Sequence, residues 1–353
     1  MADFSKYGGP SDELLEVLKT LPPAPELSIE ELKSATNEGR EKASAEFMAN
    51  LFPKPHIIKD HTIPARDGYN IEARSYRPKH IPEDKPLPIY IHYHGGGFLF
   101  GTLSSEDATC MQLALATDVV VLNVNYRHTP EWRYPTQWHD SEDAFEWAFA
   151  NAEKEFSGDS KQMVIGGISA GGMLCAALAQ TKKRENAPSF SALKGSVLMI
   201  PCLLHEDSYS WVEKQLKSPE ISSYSENEHA PILPLSRARL FNSLLYEKAP
   251  LAGDRKVNIA LATAEEVEGL PPTMFGIAGL DPLRDEALLY AGFLAENGVP
   301  TNVHVFKGVP HGFRRFGDKL SASAHWDKVM LEGIKWALSR PSATGKLDIQ
   351  VHP

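Results

Sequence analysis

Short runs rich in β-branched residues alternate with helical segments along most of this 353-residue chain. The runs span residues 88–93, 119–124, 163–168, 196–200, 273–278 and 301–306. Strands that alternate with helices lie parallel, because each helix carries the chain back to the edge where the next strand begins. The pattern therefore predicts an α/β fold with a mostly parallel central sheet flanked by helices.

Two segments interrupt this alternation. Residues 1–54 contain two predicted helices, and Ser28 begins the second with Glu31 three positions later, as in a capping box. Residues 205–269 hold aromatic residues scattered among polar residues and prolines. The predicted organisation is thus an N-terminal helical segment at 1–54, a core in two parts at 55–204 and 270–353, and an insertion at 205–269.

Charge and cysteine content exclude several classes of protein. The net charge of −10 argues against a nucleic-acid partner, since phosphate neutralisation requires clustered positive charge. No apolar run approaches the roughly 18 residues of a membrane-spanning helix. The cysteines, Cys110, Cys175 and Cys202, are far apart and lack the spacing of a zinc site. These features favour a cytoplasmic protein that contains no metal.

A Gly-x-Ser-x-Gly motif stands at the junction of the run at 163–168 and the helix after it. Its serine is Ser169, with Gly167 and Gly171 on either side. Such a turn lifts a serine hydroxyl off the sheet edge, beside the N-terminus of the following helix. The alternative is a glycine-rich turn with an incidental serine. The position of the motif between strand and helix favours a catalytic nucleophile.

Residues 94–97, His-Gly-Gly-Gly, follow the run at 88–93 directly and are called the glycine loop below. Successive glycines allow the backbone to approach a substrate oxygen closely and to point N–H groups at it. A loop without a role is one alternative. A phosphate-binding loop is disfavoured, because the Lys-Ser or Lys-Thr pair that it requires is absent.

With both motifs, the chain resembles the hormone-sensitive-lipase family of α/β-hydrolases, which includes bacterial and fungal carboxylesterases. Three further segments are similar to that family, namely 126–131 (Tyr-Arg-His-Thr-Pro-Glu), 281–286 (Asp-Pro-Leu-Arg-Asp-Glu) and 310–313 (Pro-His-Gly-Phe). The resemblance implies the α/β-hydrolase fold and a helical cap formed by the N-terminal segment and the insertion. The chain departs from the family at Ile168 and at His128-Thr129, which leaves the acyl preference open.

A serine hydroxyl becomes an effective nucleophile when a histidine takes its proton and a carboxylate orients that histidine. In this fold the acid and then the histidine follow the serine along the chain. His311 lies in a loop just past the last strand and is the expected base. Asp281 is the expected acid, since Pro282 keeps it in the loop. Asp285 is the alternative, more consistent with a helix-start charge or a salt-bridge partner.

The expected donors to the oxyanion are the backbone N–H groups of Gly95, Gly96 and Ala170. Ala170 directly follows the proposed nucleophile. His94 is expected to anchor the glycine loop. For Arg127 and Glu131, a buried ion pair that shapes the neighbouring loop is favoured over a role in the chemistry.

These groups suffice to hydrolyse a small-molecule carboxylic ester through an acyl-enzyme, without a metal or organic cofactor. One alternative is a tailoring step on a natural product with the same triad: deacetylation, thioester release or elimination. Another is a non-catalytic ligand receptor on a hydrolase fold, which is disfavoured because such receptors lose the catalytic histidine. The sequence leaves the acyl chain, the alcohol and the oligomeric state open, with a homodimer as one option.

Overall fold

A nine-stranded, mostly parallel sheet runs through the described part of the chain, residues 1–22, 26–51 and 56–353, in the computed structural model. Its strands are β1 (His56–Pro64), β2 (Asn70–Pro78), β3 (Leu87–Tyr93), β4 (Val120–Asn125), β5 (Gly158–Ile168), β6 (Leu193–Met199), β7 (Thr273–Leu280), β8 (Thr301–Pro310) and β9 (Ile349–His352). They lie in the order β1-β2-β4-β3-β5-β6-β7-β8-β9. In these described ranges β2 runs antiparallel to both of its neighbours, β1 and β4, and all other strand pairs are parallel. The predicted mostly parallel sheet is confirmed.

Helices cover both faces of this sheet, as predicted. They are α1 (Asp12–Lys19), α2 (Ile29–Leu51), α3 (Leu103–Thr117), α4 (Thr136–Phe156), α5 (Ala170–Arg184), α6 (Ser210–Glu213), α7 (Ser223–Glu226), α8 (Leu235–Leu245), α9 (Ala264–Val267), α10 (Arg284–Glu296) and α11 (Ala322–Leu338). Helices α4, α5 and α10 bury apolar side chains in one core cluster, and α3 and α11 bury theirs in a second. Because strands such as β4 lie between the two layers, Val120 through Val124 are fully buried.

Side-chain caps begin both N-terminal helices, and the second begins where the sequence predicts. The Ser11 hydroxyl caps α1 by accepting from the backbone N–H of Leu14 at 3.2 Å. The capping box of Ser28 and Glu31 is confirmed, with hydrogen bonds of 2.9 and 3.3 Å. Helix α1 buries Leu14 and Val17 in the second core cluster, and α2 packs along α3. The predicted boundary between residues 54 and 55 lies outside the described residues.

The carboxyl ends of the parallel strands bring the residues singled out by the sequence to one edge of the sheet. His94 follows the last residue of β3, and Ser169 follows the last residue of β5. Asp281 comes directly after β7, and His311 directly after β8. Ligands of open α/β sheets bind outside this edge. The topology therefore makes this edge the candidate site.

None of the helices in the described ranges has the length and the apolar composition that a membrane crossing requires.

Strand β9 is joined to β8 by a pair of histidines as well as by backbone hydrogen bonds. His304 Nδ1 lies 2.9 Å from His352 Nε2, and the two rings are stacked. Burial and the neighbouring His352 lower the pKa of His304 to about 4. Between about pH 4 and about pH 6.5, the folded protein therefore keeps His304 neutral. An unfolded chain binds a proton there, because an ordinary histidine has a pKa of about 6.5.

This histidine pair predicts a loss of stability in mild acid. Because the folded-state pKa is depressed, its contribution is complete above about pH 6.5 and is lost as the pH falls toward 4. We expect His304→Phe, which keeps the stacked ring, to have a shallower fall in thermal midpoint than the wild type between about pH 7 and about pH 4.5. Thermal unfolding followed by circular dichroism measures both slopes, and equal slopes would contradict the expectation.

Candidate active site

Ser169 occupies a strained turn between β5 and α5. Its backbone has φ 55° and ψ −113°, a conformation that residues other than glycine rarely adopt. The neighbours must be small: a Cβ at Gly167 would lie 2.2 Å from the carbonyl carbon of Gly171, and one at Gly171 would lie 1.9 Å from Tyr93 O. The glycines thus permit the turn that presents the Ser169 hydroxyl at the sheet edge.

Three side chains meet at this turn in a hydrogen-bonded line. His311 Nε2 lies 2.8 Å from Ser169 Oγ, and His311 Nδ1 lies 2.7 Å from Asp281 Oδ2. Asp281 is 1% exposed, and its second carboxylate oxygen accepts from the backbone N–H of Leu283 at 2.9 Å. The assignment of protons to the imidazole follows from this geometry: the carboxylate requires an N–H at Nδ1, so Nε2 is left to accept the serine proton.

The structure places Asp285 in a different network. It lies in the first turn of α10, fully buried, and its Oδ1 accepts from Arg284 Nε at 2.7 Å. Its Oδ2 accepts from the backbone N–H of Ser223 in the insertion, also at 2.7 Å. The interpretation of Asp285 as a salt-bridge partner at a helix start is confirmed, and the carboxylate bonded to His311 is that of Asp281.

The glycine loop lies beside the turn of Ser169, since a Cβ at Gly95 would come within 2.8 Å of Ile168 O. The hydrogen bonds of the described residues assign no acceptor to the N–H groups of Gly95 and Gly96. Gly96 has φ +140°, and a Cβ there would lie 2.4 Å from Phe100 O. Ala170 is the first residue of α5, so its N–H has no acceptor within the helix. All three are thus available to a developing negative charge.

The His94 side chain contacts the backbone of the glycine loop. It is fully buried, stacks on Tyr126 with ring centroids 4.5 Å apart, and places Nδ1 3.2 Å from Gly95 O. Tyr126 Oη donates to His94 O at 2.7 Å. Burial lowers the pKa of His94 to about 4, so its imidazole is neutral. These contacts support the expected anchoring role.

The predicted ion pair between Arg127 and Glu131 is wrong. Arg127 bonds Asp140 at 2.6 Å and Asp67 at 2.7 Å. Glu131 bonds Lys33 of α2 at 2.6 Å, with 59% of its side chain exposed. Asp140, on α4, is fully buried beneath the Arg127 guanidinium and offers it a bidentate partner, which an exposed neighbour along the chain cannot match.

Sequence analysis missed the contribution of α2 to this region. Four of its polar residues bond the segments that follow β3 and β4: Lys33, Asn37, Arg40 and Glu41. Their spacing of i, i+4, i+7 and i+8 marks one face of a helix and was a usable signal. Asn227 of the insertion was missed as well; its Nδ2 donates to Asp281 O at 3.1 Å.

The arrangement is suited to acyl transfer. A proton can pass from Ser169 Oγ to His311 Nε2 while the Asp281 carboxylate stabilises the imidazolium. In the parts of the chain that the structure describes, no cluster of three or more His, Cys, Asp and Glu side chains has the arrangement of a metal site.

Comparisons with known proteins agree with this description. The profile of a family described as the α/β-hydrolase fold matches residues 90–315. Esterase LipI of Mycobacterium tuberculosis is 32% identical over 250 residues, which cover 69% of this chain and 71% of the relative. Versiconal hemiacetal acetate esterase of Dothistroma septosporum is 32% identical over 287 residues, or 81% of this chain and 84% of the relative.

A solved structure extends the similarity over nearly the whole chain. The crystal structure of vibralactone cyclase matches with a TM-score of 0.85 and 28% sequence identity. The match covers 95% of this chain and 96% of that one. The N-terminal helices and the insertion therefore fall largely within the shared architecture.

Proposed function

The chain belongs to the α/β-hydrolase family, in the branch of carboxylesterases related to hormone-sensitive lipase, and we propose that Ser169, His311 and Asp281 are its catalytic triad. The chain is a carboxylic ester hydrolase, as its esterase relatives and its fold indicate. The observation that supports the triad is the continuous hydrogen-bonded line from Ser169 Oγ through His311 to the buried Asp281 carboxylate.

In the proposed reaction, Ser169 Oγ attacks the ester carbonyl as His311 Nε2 takes its proton. Collapse of the tetrahedral intermediate expels the alcohol, which receives that proton from His311. Water then attacks the acyl-enzyme in the same way and releases the acid. Throughout, the Asp281 carboxylate keeps the N–H of the imidazole at Nδ1 and stabilises its charged form.

The N–H groups of Gly95, Gly96 and Ala170 are proposed to hold the oxyanion. They are free of acceptors among the described residues; Ala170 directly follows Ser169, and a Cβ at Gly95 would lie 2.8 Å from Ile168 O, next to Ser169. The loss of one such donor typically lowers the rate about 10²–10³-fold. The substrate oxygen thus replaces the missing acceptor as negative charge develops on it.

The N-terminal segment and the insertion are proposed to form a cap over this site. Phe241 of α8 lies so close to Gly97 that a Cβ there would come within 2.3 Å of the ring, and it packs edge-on against Phe100. Ile232 of the insertion approaches Gly312, beside His311. Contacts of α2 with Gly95 of the glycine loop and with Gly101 support the same arrangement.

A tailoring reaction on a natural product is a second candidate, because the same triad carries out acyl transfer to acceptors other than water. The similarity to vibralactone cyclase over almost the full chain favours keeping it open. A receptor role is disfavoured, since the imidazole of His311 is present and bonded to Ser169.

The proposed cytoplasmic location is supported by the three free cysteines among the described residues. A homodimer stays a prediction.

Turnover of p-nitrophenyl esters tests the proposed function. We expect purified protein to hydrolyse such esters with a preference within a series of rising acyl length, because a cap bounds the space above Ser169. A burst of p-nitrophenol equal to the enzyme concentration is expected where deacylation is slow. Binding of the esters without turnover would instead support the receptor, and release of a cyclised or transferred product would support the tailoring enzyme.

A further inference from the structure

Helix α2 contacts the active-site region through a polar stripe rather than an apolar one. Lys33 Nζ donates to Thr129 O at 2.8 Å, and Asn37 Oδ1 accepts from the backbone N–H of Gly101 at 2.9 Å. Glu41 Oε1 accepts from the Thr102 hydroxyl at 2.6 Å. The fourth member of the stripe is Arg40, whose guanidinium contacts the glycine loop itself.

Arg40 bridges the glycine loop and the buried end of α3. Its Nη1 donates to Gly95 O at 3.0 Å, while its Nη2 donates to Glu106 Oε1 at 2.5 Å. Glu106 is 3% exposed, and its other oxygen lies 3.2 Å from His92 Nε2. Burial opposes ionisation of this carboxyl, but the charge of Arg40 and the bond to His92 outweigh it and lower the pKa of Glu106. The guanidinium is therefore held rigidly between an ionised carboxylate and the loop.

The bond to Gly95 O sets the direction of the next N–H group. In a planar trans peptide, the carbonyl of residue 95 and the N–H of residue 96 point in opposite directions. A contact that fixes Gly95 O against Arg40 therefore fixes where the N–H of Gly96 points. Glycine imposes almost no preference of its own on such a peptide, so its orientation depends on outside contacts. His94 supplies one from within the loop, and Arg40 supplies one from a separate helix.

We propose that Arg40 is a positioning residue, which orients the Gly95–Gly96 peptide so that its N–H faces the oxyanion. This inference rests on the proposed esterase function. It makes the docking of α2 a condition for full activity: when α2 is displaced, the guanidinium leaves Gly95 O and the peptide is free to rotate. The N-terminal segment then contributes to transition-state stabilisation, although none of its residues touches the reacting atoms.

The test compares Arg40→Met with Lys33→Met, a matched control on the same face of α2. We expect Arg40→Met to lower kcat about 10- to 100-fold, less than or similar to the loss of an oxyanion donor because His94 still contacts Gly95 O. The KM is expected to change less than about threefold, since the affected interaction forms in the transition state. Lys33→Met removes one docking contact outside the glycine loop. The other three contacts of the stripe still hold α2 in place, so kcat is expected to stay unchanged.

The affinity of a trifluoromethyl ketone distinguishes a positioning role of Arg40 from a merely structural one. It adds to Ser169 and forms a hemiketal oxyanion, so its affinity for Arg40→Met should fall by the same factor as kcat. The corresponding methyl ketone, which stays a neutral carbonyl, should bind both proteins equally. Arg40→Lys serves if Arg40→Met does not fold: the ammonium keeps the charge beside Glu106 but lacks the planar fork that reaches both acceptors.

Two results would overturn the proposal. One is a folded Arg40→Met or Arg40→Lys protein whose kcat and trifluoromethyl ketone affinity lie within about twofold of the wild type. The other is an equal loss of kcat in Lys33→Met, which would assign the effect to docking in general. Failure of the proposed function is distinguishable, because the wild-type protein would then neither hydrolyse esters nor bind the trifluoromethyl ketone at Ser169.

Discussion

Ser169→Ala is expected to reduce ester hydrolysis about 10⁴–10⁶-fold while the protein stays folded. The substitution removes the only atom of the proposed triad that bonds to the substrate, and it leaves the turn intact because alanine is no larger than serine. His311 and Asp281 keep their mutual hydrogen bond. The residual rate reports what the free N–H groups and the cap contribute without a nucleophile. Initial rates on a p-nitrophenyl ester, with circular dichroism as the check on folding, measure the effect.

Ser196→Ala is the matched control for this substitution. Ser196 lies on β6, which pairs with β5, the strand that ends just before Ser169; it is 1% exposed, whereas Ser169 is half-buried. Its hydroxyl has no partner among the described residues, so its loss is expected to leave kcat unchanged. A Ser169→Ala protein that keeps activity within about tenfold of the wild type would exclude Ser169 as the nucleophile.

Asp281→Asn is expected to lower kcat about 10³–10⁴-fold. The carboxylate oxygen that faces His311 Nδ1 accepts an N–H there, which leaves Nε2 free to take the serine proton. An asparagine amide can instead donate to Nδ1 and so hold the proton of the imidazole at Nε2, opposite Ser169 Oγ. The wrong tautomer then faces the nucleophile. Steady-state kinetics on the folded variant measure the loss.

Asp285→Asn separates the two carboxylates near the start of α10. Asp285 pairs with the buried Arg284, so the substitution leaves that charge partly uncompensated and is expected to cost about 3–5 kcal/mol of stability. Its kcat at a temperature where it is folded should stay within a few-fold of the wild type, because Asp285 bonds neither Ser169 nor His311. A large loss of kcat in Asp285→Asn with little loss in Asp281→Asn would reverse the assignment of the acid.

The fold was predictable because its determinants are local. Runs of β-branched residues buried on both faces, such as Val120 through Val124, separate strands from helices without any knowledge of their partners. The same alternation places the last residue of each parallel strand at one edge, so Ser169, Asp281 and His311 were expected to meet there. Chain order then distinguished the acid from the base.

The misses all concern partners that lie far apart in the sequence. Arg127 was paired with Glu131, a near neighbour, whereas its partners are the buried Asp140 and the exposed Asp67, the latter 60 positions away. The contact between Arg40 and Gly95 spans 55 positions and joins two segments that local patterns treat as independent. Such pairs depend on how helices pack on the finished sheet, and periodicity in one segment does not specify them.

The central claim is that Ser169 is the nucleophile of an acyl-transfer triad, and covalent labelling tests it most directly. The wild-type protein is incubated with a fluorophosphonate, and the adduct is located by peptide mass spectrometry while activity on a p-nitrophenyl ester is followed. The account predicts one adduct per chain, on Ser169, with activity lost in proportion to labelling. An adduct confined to another residue, or a folded and active protein that does not label, would contradict it.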